Sequence, residues 1–117
     1  MKLSNLRPFV PSGKDYALAK AFFLDIGFVD NWSDEALCEL QFGDAKFLLQ
    51  NFQHEEMQKN FMVYVNVDDL DAFYEHLVKL DLSRKYPGVK CSRPEKRPWG
   101  IRELHLIDPA GVCWHFA

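Results

Sequence analysis

Apolar and polar positions along this chain fall into two successive runs of the same kind. The first opens with Arg7-Pro8-Phe9-Val10-Pro11, which reads as extended because each proline fixes φ and disfavours helix in the residue before it. Two prolines in so short a strand place it at a sheet edge or a hinge. A helix is predicted over about 15–26, with Leu18, Ala21 and Phe22 on one face, Asp15 as its cap and Gly27 as an αL terminator. Residues 29–32, 36–42 and 46–51 read as three short strands, the last two joined by Gly43-Asp44, a two-residue hairpin signal.

The second run repeats this order. Residues 61–67 form a strand, Asp68 or Asp69 caps a helix, and Leu70, Phe73, Leu77 and Leu80 lie on one stripe of it. A turn-rich connection with Pro87-Gly88 and 94–100 follows. A closing hairpin, 103–107 and 112–116, surrounds Asp108-Pro109-Ala110-Gly111, whose Asp, Pro and Gly occupy the preferred places of a type I turn. Local echoes support a duplication: Ala21-Phe22-Phe23 matches Ala72-Phe73-Tyr74, and Glu39-Leu40 matches Glu103-Leu104. The expected fold is α+β, two βαβββ units forming curved mixed sheets around a concave cleft. One domain is expected over 1–117, with units of about 1–55 and 56–117.

Composition narrows the function. No apolar run approaches the ~20 residues of a membrane-spanning helix, and Met1-Lys2-Leu3-Ser4-Asn5 opens without the long apolar stretch of a signal peptide. A net charge of −3 with no Lys/Arg stripe argues against nucleic acid as a partner. Cys38, Cys91 and Cys113 are odd in number and never spaced C-x-x-C, which argues against a disulfide framework or zinc ribbon and for a reducing cytoplasm. Ten Phe, four Tyr and three Trp are more rings than a core of this size needs. Phe22, Phe28, Phe42, Phe47, Phe73, Trp114 and Phe116 are assigned to the core, and Phe9, Phe61 and Tyr74 to a subunit contact.

The run Arg97-Pro98-Trp99-Gly100-Ile101-Arg102-Glu103-Leu104-His105-Leu106-Ile107-Asp108-Pro109-Ala110-Gly111-Val112-Cys113-Trp114-His115-Phe116 closely resembles the end of bleomycin resistance proteins. These belong to the vicinal oxygen chelate superfamily, with glyoxalase I, fosfomycin resistance proteins and extradiol dioxygenases. The resemblance spans the chain, is specific at the C-terminus and general before it, and implies the two βαβββ units. In the superfamily's enzymes four inward-pointing strand residues bind a divalent metal. Their positions map here to about Pro8, Leu48 or Gln50, Met62 and His115, of which only His115 is a good ligand. The resemblance therefore implies a binding protein with no metal and no cofactor. The alternative is a metal-dependent glyoxalase- or dioxygenase-like enzyme with displaced ligands.

In the resembled family two chains pair and form ligand crevices lined with rings at their interface. Matching its pattern puts Trp32, Tyr64 and Trp99 at ring positions, with Leu37 where the drug binders carry a further ring. His115 is read as lining the pocket wall. Cys113 lies two residues away on the same strand face, the only hint of a cysteine beside a base. The expected partners are a planar, bleomycin-like small molecule and a second copy of the chain. Asp30, Asp34, Glu35 and Glu39 near Trp32 either attract a cation or form a solvated loop. The basic stretch 84–97 either repels a cationic drug or favours an anionic ligand. His54 is placed in a polar loop and His76 on the polar side of its helix. Period-two counting from a two-residue loop puts His105 and His115 on opposite faces, a parity that a bulge would reverse.

Overall fold

Both predicted runs fold into sheets of the same strand order in a computed structural model that describes residues 1–117. The first sheet is built from β1 (Phe9–Pro11), β2 (Val29–Ser33), β3 (Leu37–Phe42) and β4 (Ala45–Gln50), in the order β1-β4-β3-β2. The second uses β5 (Met62–Val65), β6 (Lys90–Cys91), β8 (Arg102–Ile107) and β9 (Cys113–Phe116), in the order β5-β9-β8-β6, with β7 (Glu95–Lys96) pairing β8. In each, the first strand runs parallel to the last and the remaining pairings are antiparallel. Prolines at both ends of the β1 region suit the edge it occupies.

Helix α1 (Tyr16–Ile26) starts where Asp15 accepts the Leu18 N–H and ends at Gly27, whose φ of 128° a residue with a Cβ adopts only under strain. Its buried face is Ala19, Phe22, Phe23 and Ile26; Ala21, expected inward, is exposed, because it lies off the stripe those four residues form. Helix α3 (Leu70–Leu80) is capped by Asp69 and carries the predicted stripe, with Leu77 fully buried. Two short helices fall where loops were expected, α2 (Glu55–Asn60) and α4 (Leu82–Lys85). His54 is thus the N-cap of α2, its Nδ1 accepting the Met57 N–H at 3.1 Å. No helix is long and apolar enough to cross a membrane.

The helix-covered faces of the two sheets share one apolar cluster. Phe23 of α1 meets Phe47 of the first sheet edge-on at 4.9 Å and Trp114 of the second at 5.3 Å. Trp114 and Phe47 in turn lie 4.9 Å apart. Such pairs contribute about 0.5–1.5 kcal/mol each beyond burial. Phe23 was missing from the predicted core, and Phe42, predicted inside, is 41% exposed because it ends its strand at the hairpin. Phe9 is exposed, whereas Phe61 and Tyr74, expected at a subunit contact, pack partly against the core. Seen along the strands, every second residue points away from the helices, and two open faces result.

Candidate functional site

On the open face of the second sheet the register sets Tyr64, His115 and His105 in one row across β5, β9 and β8. Glu103 stands two residues along β8 and so on the same face. The expected separation of the two histidines onto opposite faces is wrong, and the turn is the reason. Ile107 pairs Cys113, which leaves Asp108–Val112 outside the ladder as a five-residue loop. The type I turn closes through the Gly111 N–H on the Asp108 carbonyl, and Gly111 then takes φ 94°. The Asp108 carboxylate accepts the Ala110 and Val112 N–H groups at 2.9 and 3.0 Å and the Trp114 indole N–H at 3.0 Å. Burial pushes its pKa up to about 6 against those donors.

Glu103 is 1% exposed and anchors the face. Its Oε1 accepts His105 Nε2 at 3.0 Å and His115 Nδ1 at 3.2 Å, and its Oε2 accepts the Trp99 indole N–H at 2.9 Å. Burial pushes the carboxyl up, but hydrogen bonds from His105, Trp99 and His115 outweigh it and hold the pKa at about 2. Tyr64 stacks on His115 with ring centroids 6.3 Å apart, and partial desolvation together with the Glu103 charge raises its phenol. Cys113 Sγ lies 3.6 Å from His115 Nε2, and burial keeps the thiol protonated by raising its pKa. Arg97 donates to Ser92 Oγ and to the Glu103 carbonyl, while its Nε is buried with no partner. The structure thus gathers Tyr64, Trp99, Cys113 and His115 around Glu103, which was not among the predicted site residues, and His105, which period-two counting had set on the opposite face. The readable signal was Glu-x-His at strand period, facing His115 once Gly111 is read as a bulge glycine.

Trp32 and Leu37 stand on the first sheet instead. Trp32 pairs Glu39 after an irregularity at Asp30, and Leu37 pairs Gln50. Trp32, Tyr64 and Trp99 are 44, 51 and 58% exposed, so all three rings stay out of the core. The acidic residues near Trp32 are largely engaged within the chain. Glu39 bonds Arg7 at 2.6 Å and Asn31 at 2.9 Å, Asp30 pairs Lys20 at 2.7 Å, and Asp34 accepts the Ala36 and Leu37 N–H groups.

Three solved structures share this fold. A bleomycin-binding protein complexed with bleomycin superposes with a TM-score of 0.82 and 25% identity over 97% of each chain. The chain has the fold of the bleomycin resistance/glyoxalase-like proteins. A bleomycin-binding protein from Streptomyces verticillus, complexed with copper(II)-bleomycin, superposes with a TM-score of 0.79 at 22% identity, covering 100% of this chain and 97% of that one. A lactoylglutathione lyase from Agrobacterium tumefaciens has the same fold, with a TM-score of 0.68 and 16% identity over 98% of this chain and 93% of that one. No protein-family model matches the sequence, and no curated protein sequence does.

The positions that the sequence resemblance assigns to the metal of the superfamily's enzymes do not fit an ion here. Pro8 offers no side-chain donor and its carbonyl accepts the Leu48 N–H. Leu48 has none, Met62 is a soft thioether exposed at the strand edge, and Gln50 is a weak ligand.

Proposed function

We propose that this chain binds and sequesters a planar, cationic small molecule of the bleomycin type in the cytoplasm. The observation that carries the reading is the open face of the second sheet. There two exposed rings, Tyr64 and Trp99, flank a buried carboxylate that stays ionised down to acid pH. The rings supply stacking surface and Glu103 supplies the negative potential a cation seeks. One stack contributes about 0.5–1.5 kcal/mol beyond burial, too little alone for tight binding. A second copy of the chain closes the crevice in this reading, adding a first-sheet face with Trp32 and Leu37. The bleomycin-bound structures of similar chains support the choice of ligand class.

Titration with metal-free bleomycin, followed by tryptophan fluorescence, tests this. Saturable quenching is expected, with affinity falling about two- to tenfold in Trp99→Ala, the loss of one stack. Absence of saturable binding in the native chain would overturn the reading.

A second reading, a metal-dependent enzyme of the glyoxalase or dioxygenase kind, is favoured by one observation, the convergence of Glu103, His105 and His115. Turnover of a glyoxalase or extradiol dioxygenase substrate by metal-loaded protein would establish it, and intact substrate would reject it.

A further inference from the structure

We propose that Glu103, His105 and His115 form a site of this chain's own for one divalent transition-metal ion of the Zn²⁺ or Cu²⁺ class. It goes beyond the ligand-binding reading, and it lies off the family's metal positions except at His115. One ligand atom from each of the three residues lies within 4.8 Å of the others. Oε1 of Glu103 is 3.0 Å from His105 Nε2 and 3.2 Å from His115 Nδ1. An ion bound at roughly 2.0–2.2 Å holds neighbouring ligand atoms roughly 3–3.5 Å apart. Two of the three edges already have that length, and side-chain rotation of the imidazoles closes the third.

The surroundings favour ligation as well. The Trp99 N–H holds Oε2 and leaves Oε1 aimed at the imidazoles, the orienting role an outer-shell partner plays at metal sites. One ring nitrogen of each histidine faces the Glu103 carboxylate. An imidazole that ligates through that nitrogen carries its proton on its other ring nitrogen. For His115 that nitrogen is Nε2, with Cys113 Sγ at 3.6 Å as the acceptor. The thiol thus lies on the far side of the ring and does not ligate. His105 and His115 side chains are 24 and 15% exposed, so a fourth position opens to solvent for water or a donor atom of a bound molecule.

Two imidazoles and one carboxylate select borderline ions over Mg²⁺ and Ca²⁺, which need six or more oxygen donors or a retained water shell.

Chelator-stripped native chain, with no bleomycin present, is titrated with Zn²⁺ against a chromophoric competitor and with Cu²⁺ by electron paramagnetic resonance. The expected result is one ion per chain, with nitrogen hyperfine coupling from two imidazoles and no competition from millimolar Mg²⁺. Glu103→Gln, His105→Gln and His115→Gln should each weaken Zn²⁺ binding at least tenfold while circular dichroism stays native. Cys91→Ser should bind as the native chain does. Equal binding by native chain and His105→Gln/His115→Gln, loss of the ion on Cys91→Ser, or no stoichiometric ion at all would each overturn the proposal. Because the ligand is absent from every arm, failure here leaves the bleomycin titration standing, and the converse.

Discussion

Glu39 and Glu103 occupy corresponding places in the two sheets, each on the open face of the strand next to the sheet's last one. Both are buried, yet their carboxylates are held in different ways. Glu39 is held by the permanent cation of Arg7 and by Asn31, with Gln41 and Lys46 paired beside it. Glu103 is held by His105, His115 and the Trp99 indole. An arginine pair only closes a face, because guanidinium neither loses its proton nor ligates a metal. Imidazoles do both, and an indole adds a stacking surface. The same backbone position is therefore a clasp in one sheet and, in the function proposed above, a binding site in the other.

The strongest way to break the comparison is to separate the sheets. Phe23→Ala removes the ring that joins Phe47 to Trp114, and should cost about 3–5 kcal/mol in a single cooperative urea transition. Two transitions would show the sheets to unfold apart. Next in size, Glu103→Gln should lose about 1.5–3 kcal/mol, the worth of hydrogen bonds to a charged group. Arg7→Gln should lose less, and its deficit should shrink when salt is raised, because the Arg7 side chain is 35% exposed and its pair is screened. A deficit in Glu103→Gln that also vanished in salt would erase the distinction.

The pH profile sharpens it further. Glu103 is lowered from 4.5 to about 2, so its stabilisation is full above 4.5 and is lost as pH falls through 2. Asp108 is raised from 3.8 to about 6, so its contribution is full below 3.8 and is lost as pH rises through 6. Chemical denaturation between pH 2 and 7 should show the acid limb flattened in Glu103→Gln and the pH 4–6 limb flattened in Asp108→Asn. The smallest effect expected is in Gly111→Ala, about 1 kcal/mol from placing a Cβ at φ 94°. Its thermal midpoint should drop modestly, and Zn²⁺ binding with it if the bulge sets the His105–His115 register.

Most of the fold was readable because its signals are local. Asp15 and Gly27 bracket α1, Asp69 starts α3, and Gly43-Asp44 closes a two-residue hairpin, each through chemistry within four residues. Helix α2 escaped because its cap is a histidine, a residue with little capping preference, and its sequence carries no apolar stripe. The three exposed rings were legible as residues left over from the core, whereas their grouping was not. Trp99 reaches Glu103 through a loop conformation, and His105 meets His115 only through the parity of a five-residue loop. A single glycine after the turn reverses which face a histidine takes, and alternation alone is blind to it.

The most direct test of the functional assignment is a ¹H–¹⁵N NMR titration of the native chain with metal-free bleomycin. The largest shifts are predicted at the Trp99 indole N–H and at the backbone amides of Tyr64, His105 and His115, with the exposed side of α3, such as Glu75 and Lys79, unmoved. Shifts confined to the helices, or none at saturating ligand, would contradict a binding face on the second sheet.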